Sequence, residues 1–188
     1  KTIFLDFTPK KVNTTGCQNR FGNYLVDPLP ERIRFGSDTF HTSPMALYHK
    51  HRPQIFSSIV DQEHVVKTIM NQVINGKTAH AYLFSGPRGV GKTTTARILA
   101  KSLNCPKRQP DSAEPCDACS SCEEISSARS IDVIEIDAAS HTGVDNVREN
   151  IINSSRFSPT KSKFKVYIID EAHMLSNAAF NALLKTME

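Results

Sequence analysis

The sequence predicts an α/β fold in which a mostly parallel sheet is covered by helices on both sides. Three observations carry this prediction. Apolar, strand-like segments alternate with helical periodicity along residues 45–188. The run at residues 166–169 is apolar without interruption, as is typical of a strand buried on both faces. A glycine-rich loop follows the apolar segment 81–84 and precedes a helical pattern.

Each element follows from a local signal. Strands are predicted at residues 81–84, 131–136 and 166–169. Asp61 is a candidate N-cap of the first helix, and Gly76 is its candidate C′ residue. The helix faces are defined by apolar positions three or four residues apart: Val66, Ile69, Met70 and Val73; Ala96, Leu99, Ala100 and Leu103; Val144, Val147 and Ile151; and, after the candidate N-cap Ser176, Phe180, Leu183, Leu184 and Met187.

Composition narrows the class of protein. The chain has 188 residues, of which 39% are hydrophobic, and it contains no apolar run long enough to cross a bilayer. We therefore expect a soluble globular protein with no membrane partner, and the N-terminus shows no secretory signal pattern. The net charge of +4 is compatible with nucleic-acid binding but does not indicate it. Four of the five cysteines cluster, which favours a metal site in a reducing compartment over a secreted disulfide scaffold.

Residues 1–44 differ in character from the rest of the chain. They lack a sustained helical period, contain scattered Pro, Gly, Asn and Thr, and precede the first methionine, Met45. We predict that 1–44 is an extension outside the core and that 45–188 forms the core domain. The alternative interpretation is that 1–44 is an ordinary N-terminal subdomain.

The glycine-rich loop is a complete G-x-x-x-x-G-K-[ST] phosphate-binding motif. Its glycines let backbone N–H groups approach phosphate oxygens, and the following helix N-terminus adds partial positive charge. Lys92 is placed to reach the β- and γ-phosphates of a bound nucleotide, and the Thr93 hydroxyl to ligate Mg²⁺. A simple strand-to-helix turn is the alternative, which the complete motif disfavours. The predicted nucleotide-binding residues are Gly86, Pro87, Arg88, Gly89, Val90, Gly91, Lys92, Thr93 and Thr94.

Two carboxylates end the apolar strand at 166–169. Asp170 is predicted to hold Mg²⁺, and Glu171 to orient or deprotonate the attacking water. A solvated acidic turn is the alternative. The candidate catalytic residues are therefore Lys92, Asp170 and Glu171. The other acidic residues near a strand are interpreted as surface or supporting residues: Asp132, Glu135 and Asp137.

Four cysteines form the pattern C-x₁₀-C-x₂-C-x₂-C in a proline-rich segment with little core of its own. Four thiolates close a tetrahedral Zn²⁺ shell, which stabilises such a loop and leaves no open position for catalysis. The alternatives are an iron–sulfur cluster, disulfides or inert thiols. The predicted zinc ligands are Cys105, Cys116, Cys119 and Cys122.

Seven segments together resemble one protein family. They are Arg-Pro-Gln-x-Phe at 52–56, Gln-Glu-His-Val at 62–65, His-Ala-Tyr-Leu-Phe-Ser-Gly at 80–86, Leu-Asn-Cys at 103–105, Ile-Glu-Ile-Asp-Ala-Ala-Ser at 134–140, Phe-Lys-Val-Tyr-Ile-Ile-Asp-Glu at 164–171 and Phe-Asn-Ala-Leu-Leu-Lys at 180–185. From Met45 to Glu188 the chain resembles the gamma/tau subunits of bacterial DNA polymerase III.

The resemblance implies an AAA+ P-loop ATPase domain with a four-cysteine zinc module inserted at 105–122. It implies a bacterial cytoplasmic clamp-loader subunit that acts with other subunits in a hetero-oligomeric ring, and whose partners are the sliding clamp and primer-template DNA. The family is catalogued with DNA-directed DNA polymerase, a nucleotidyltransferase, although the direct chemistry expected here is ATP hydrolysis. The family's zinc ligands match the four cysteines above. Its adenine pocket corresponds to Tyr48, Arg52, Pro53 and Gln62.

Two departures from the family pattern stand out. Asp61 occupies the position before Gln62 where the family usually has Gly. The family's sheet order is 5-1-4-3-2, and the sequence ends before strands 4 and 5. We therefore expect an incomplete sheet that lacks a central strand, with weak ATP hydrolysis and poor solubility.

Two other functions remain open at this point. Residues 170–173 spell Asp-Glu-Ala-His, the box of some helicases, although a second lobe and further helicase motifs are not found in the sequence. A zinc-dependent DNA-binding module with a vestigial nucleotide site is the other alternative. Full activity of a Lys92→Ala variant would favour that module, and strand displacement would favour the helicase.

Overall fold

The computed structural model describes residues 2–8, 52–139, 151, 153–177 and 180–181, the first of these ranges by its backbone. Within these ranges four parallel strands form one sheet in the order β2-β1-β4-β3. The strands are β1 (Thr2–Thr8), β2 (Ala81–Ser85), β3 (Val133–Asp137) and β4 (Lys165–Asp170). The helices are α1 (Glu63–Ile74), α2 (Lys92–Asn104) and α3 (Ser120–Ser126), with short 3-10 turns at Phe56–Ser58 and Ala172–Met174.

The N-terminal strand β1 lies in the centre of the sheet. Phe4 pairs with Ala81 of β2 on one side and with Tyr167 of β4 on the other. The expectations that residues 1–44 lie outside the core, and that the sheet lacks a strand between β2 and β4, are thus wrong for residues 2–8. Two facing edges offer unpaired N–H and C=O groups, and an extended segment between them satisfies both rows at once.

The structure does not test the rest of the predicted extension, residues 9–44. Residues 1–10 group with 52–188 in one compact unit, and 11–51 form a second unit. Residue 1 and residues 9–51 lie outside the described part of the chain, so the predicted boundary at Met45 remains a prediction.

The predicted faces of α1 and α2 lie in the core, whereas Phe180, which the sequence predicts on the buried face of the last helix, is 39% exposed. On α1 the buried residues are Val66, Ile69 and Val73, and on α2 they include Ala96, Leu99, Ala100 and Leu103. Ile151 is fully buried in a second cluster with Tyr167 and Ile169. Positions 144, 147, 183, 184 and 187 lie beyond the described ranges. The strand β4 is buried along almost its whole length, as its uninterrupted apolar run predicts.

The two predicted ends of α1 have different outcomes. Gly76 adopts a φ of +65°, and the Lys77 N–H donates to the Gln72 carbonyl at 2.9 Å, so the predicted C′ glycine closes a Schellman motif. The predicted N-cap is wrong by one residue, because Gln62 is the N-cap. Asp61 instead adopts a left-handed φ of +63°. The family's usual glycine at this position is explained by that backbone conformation, which a β-carbon disfavours.

Replacing Asp61 by glycine is expected to raise the free energy of unfolding by about 0.5–1 kcal/mol. The left-handed backbone costs an L-residue roughly 1–2 kcal/mol, and the greater freedom of glycine in the unfolded chain offsets part of that gain. Urea unfolding followed by circular dichroism measures the difference. Asp61→Ala is the matched control, because it removes the carboxylate and keeps the β-carbon. A glycine variant no more stable than the alanine variant would contradict the prediction.

Asp132 is a buried structural carboxylate rather than a surface residue. Its side chain accepts backbone N–H groups from Thr160 at 2.7 Å and from Lys161 and Ser162 at 2.8 Å each. Burial raises the pKa of Asp132, but the three backbone donors together outweigh burial and leave that pKa below its usual value. The carboxylate thereby fixes the loop that leads into β4.

Asp132→Ala is expected to lower the free energy of unfolding at pH 7 by about 3 kcal/mol, because three backbone N–H groups lose a charged acceptor. Since the folded-state pKa is lowered, the stabilisation is fully present above the unfolded pKa of about 3.9 and is lost as pH falls through the folded pKa. Urea unfolding between pH 7 and pH 3 tests both statements. Asp132→Asn keeps one acceptor oxygen, so its loss should be smaller. Equal stability of the native and alanine chains would refute this role.

Candidate functional site

The glycine loop connects the end of β2 to the start of α2, as the sequence predicts. Gly91 is the N-cap of α2 with a φ of +90°, and Gly89 has a φ of +84°. Both are left-handed conformations that favour glycine. The Gly91 carbonyl accepts from the Thr95 N–H at 2.8 Å and from the Thr95 hydroxyl at 3.0 Å, which closes the first turn of α2. The loop is therefore a strand-to-helix connection with the backbone that phosphate-binding loops require.

The Lys92 side chain folds back over this loop. Its Nζ donates to the carbonyl oxygens of Gly86 and Pro87, at 3.0 Å each. The ammonium group thus lies beside the loop backbone, where it offers positive charge to an anion held there. These hydrogen bonds are to loop carbonyls at a partly exposed position, so a ligand can exchange with them.

The acidic end of β4 meets the start of α2. The Thr93 hydroxyl donates to Asp170 Oδ2 at 3.0 Å, across 77 residues of sequence. A hydroxyl and a carboxylate are the oxygen ligands that Mg²⁺ prefers. The two residues that the sequence predicts as magnesium ligands are therefore brought together at the carboxyl edge of the sheet, where open α/β sheets bind ligands.

Glu171 follows Asp170 in a left-handed conformation, with a φ of +52°. Its carboxylate lies 3.6 Å from Nη2 of Arg88 and 3.3 Å from Nδ1 of His173. The Arg88 side chain is 89% exposed, so this ion pair contributes little stability. The sequence gives no role to His173, and it predicts Arg88 as a nucleotide-binding residue rather than as a partner of Glu171. Their meeting at Glu171 depends on the turn after β4, for which the sequence spacing carries no signal.

The predicted adenine pocket is described in part. Arg52 Nε donates to Thr94 Oγ1 at 3.0 Å, which brings two predicted nucleotide-binding residues together at the first turn of α2. Pro53 follows Arg52 in the same half-buried segment. Gln62 serves as the N-cap of α1, where its carbonyl accepts from the Val66 N–H at 3.0 Å. Tyr48 lies outside the described residues.

The four predicted zinc ligands converge on one point. The sulfur atoms of Cys105, Cys116, Cys119 and Cys122 all lie within 4.8 Å of one another, and none forms a disulfide. The sulfurs of Cys105 and Cys119 are 4.0 Å apart, close to the roughly 3.8 Å that a tetrahedral Zn–S shell requires. The geometry and the all-thiol donor set fit a closed tetrahedral site.

The thiols sit in unequal environments. The backbone N–H of Ala118 lowers the pKa of Cys116 to about 7, with further contributions from Cys105 and Cys119. Burial raises the pKa of Cys122, which is fully buried. A buried thiolate needs a nearby cation, and a divalent metal held by all four sulfurs would supply one.

The chain is similar in sequence to subunits of DNA polymerase III. A sequence model described as DNA polymerase III, delta subunit, matches residues 61–188. The tau subunit of DNA polymerase III from Bacillus subtilis strain 168 is 53% identical over 146 residues, which are 78% of this chain and 25% of that protein. The Escherichia coli K12 tau subunit is 51% identical over 146 residues, or 78% of this chain and 22% of that protein. The gamma subunit from Buchnera aphidicola of Acyrthosiphon pisum is 54% identical over 142 residues, or 76% and 38%.

The chain spans about a quarter of the length of the Bacillus relative that it matches. In the part of the chain that the structure describes, no helix combines the length and apolar character needed to cross a membrane.

Proposed function

Because this chain belongs to the family of DNA polymerase III gamma/tau subunits, we propose that it binds ATP with Mg²⁺ and hydrolyses it as part of the clamp loader during DNA replication. The observation that carries the proposal is the 3.0 Å hydrogen bond between Thr93 and Asp170 at the mouth of the glycine loop. This hydrogen bond supports the proposal because it brings the predicted Mg²⁺ ligand after the glycine loop beside the predicted Mg²⁺ ligand at the end of β4.

The roles of the residues follow from their positions. The loop amides at 86–91 bind phosphate oxygens, and Lys92 exchanges its loop carbonyl partners for the β- and γ-phosphates. Thr93 and Asp170 would hold Mg²⁺, which would supply neutralisation of phosphate charge. Glu171 is assigned the role of orienting the attacking water. We expect ATP hydrolysis by this chain alone to be slow, because an arginine from a neighbouring subunit is needed for full stabilisation of the transition state.

The cysteine cluster has a structural role in this proposal. Four thiolates fill every position of a tetrahedral Zn²⁺ shell, so no site is left for a substrate. The four sulfur atoms are close enough for such a shell, and the all-cysteine donor set suits zinc.

The assembly belongs to the proposal as well. We expect the chain to act in the bacterial cytoplasm, in a hetero-oligomeric ring with other clamp-loader subunits, and to engage the sliding clamp and primer-template DNA. Two of the relatives are tau subunits and one is a gamma subunit of DNA polymerase III, which supports a place in a multisubunit replication complex.

Isothermal titration calorimetry with ATP, with and without Mg²⁺, tests the proposal on the chain itself. We expect micromolar, magnesium-dependent binding of one ATP, and slow phosphate release that rises when partner subunits are added. Absence of ATP binding at millimolar nucleotide, in a chain that circular dichroism shows to be folded, would contradict it. Strand displacement activity would favour the helicase alternative instead.

A further inference from the structure

The cysteine loop holds a neighbouring segment through Glu114. Glu114 lies between Cys105 and Cys116 in the sequence, and its two carboxylate oxygens accept the backbone N–H groups of Phe56 and Ser57, at 2.8 Å each. These two donors begin the 3-10 turn Phe56–Ser58, whose N-cap has no side-chain hydrogen bond of its own. Glu114 therefore serves as the cap of a turn 58 residues away along the chain.

Lys101 of α2 makes a second connection to the same segment. Its side chain is 1% exposed, and its Nζ donates to Gln54 Oε1 at 2.5 Å and to Asp117 Oδ1 at 2.6 Å. Asp117 directly follows Cys116 and has a left-handed φ of +53°. A buried ammonium without these partners is costly, so the position of Asp117 affects both Lys101 and Gln54.

The far end of the segment reaches the nucleotide site. Gln54 Nε2 donates to the Arg52 carbonyl at 3.0 Å, and Arg52 Nε donates to Thr94 Oγ1 at 3.0 Å. Thr94 directly follows Thr93 in the first turn of α2. The segment 52–58 is thus fixed at one end to the phosphate-loop helix, and along its length to residues of the cysteine loop.

We propose that metal binding at the four cysteines and nucleotide binding at the glycine loop are energetically coupled, through the positioning of segment 52–58 by Glu114 and Lys101. Glu114 and Asp117 flank Cys116, so the order that a bound metal gives to the loop fixes both carboxylates. Those carboxylates fix the segment that carries Arg52. Because such coupling is reciprocal, nucleotide also tightens metal binding. The inference rests on the proposed function, and it goes further by giving the cysteine loop a regulatory link to the nucleotide site.

Calorimetry with ATP tests the coupling on the whole chain, in excess Mg²⁺, before and after removal of zinc by a zinc-selective chelator. We expect zinc removal to weaken ATP binding about tenfold, within the 5–150-fold range usual for coupled sites. Glu114→Ala with a full equivalent of zinc should show a similar loss, and zinc removal should change its ATP affinity little further. Glu114→Gln keeps one acceptor oxygen, so its ATP affinity with zinc bound should lie between the affinities of the native chain and of Glu114→Ala. Glu123→Ala is the matched control, because Glu123 is an exposed glutamate on α3 and should retain native affinity and native zinc dependence.

Amide hydrogen exchange separates failure of this inference from failure of the proposed function, because it needs no nucleotide. Zinc removal should speed exchange of the Phe56 and Ser57 N–H groups in the native chain, and Glu114→Ala should speed it with zinc still bound. Unchanged exchange at these two amides after zinc removal would overturn the coupling. So would native ATP affinity in a zinc-loaded Glu114→Ala chain. If neither the native chain nor any variant binds ATP, the proposed function fails. The exchange rates of the Phe56 and Ser57 N–H groups then decide alone whether the metal-bound cysteine loop positions segment 52–58.

Discussion

Replacement of Lys92 by alanine is expected to weaken ATP binding by about 100-fold. The Lys92 ammonium lies over the glycine loop, 3.0 Å from two of its carbonyl oxygens, and is the charged side chain of the loop best placed to meet the β- and γ-phosphates. Hydrogen bonds to charged groups contribute about 1.5–3 kcal/mol, and about 3 kcal/mol corresponds to roughly two powers of ten in Kd. Calorimetric titration with ATP and Mg²⁺ measures the loss.

The thermal stability of the chain without nucleotide should change little in this variant, because Lys92 bonds only partly exposed loop carbonyls. Lys67→Ala removes an exposed lysine of α1 and serves as the control for net charge. Native ATP affinity in Lys92→Ala would contradict the predicted role of Lys92 at the phosphates.

Replacement of Cys122 by serine is expected to abolish stoichiometric zinc binding and to lower the free energy of unfolding by about 3 kcal/mol or more. Cys122 is fully buried on α3, which contributes Ile125 to the main core, and the loop before α3 contributes Ala113. A structural zinc site contributes its binding free energy to folding, so the loss of one of four ligands destabilises the whole loop. For a domain of this size, such a loss lowers Tm by roughly 6–12 °C.

Metal analysis of the purified protein and thermal unfolding test this prediction together. Cys17→Ser is the matched control, because it removes a thiol outside the C-x₁₀-C-x₂-C-x₂-C pattern. Iron in place of zinc would favour the iron–sulfur alternative. Full zinc occupancy in Cys122→Ser would contradict the four-ligand site.

The local parts of the fold and site are predictable from the sequence because their signals are local. The glycine loop, the buried strand β4 and the Schellman end of α1 each depend on residues within a few positions of one another. The meeting of Thr93 and Asp170 is also predictable, since parallel strands present their carboxyl ends at one edge of the sheet.

The parts that the sequence does not reveal depend on distant partners. Strand β1 has neighbours more than 70 residues away, and residues 2–8 carry no signal that selects the gap between β2 and β4. Asp132 looks like a surface acid until the loop at 160–162 closes on it. Glu114 looks like one more polar residue of the cysteine loop, because the two amides that it caps are far away in sequence.

The most direct test of the account is a structure of the chain with Mg²⁺ and a non-hydrolysable ATP analogue. We predict a triphosphate along the amides of residues 86–93, Lys92 at its β- and γ-phosphates, and Mg²⁺ held between Thr93 and Asp170. A nucleotide bound elsewhere, or a bound Mg²⁺ that neither Thr93 nor Asp170 approaches, would contradict the account.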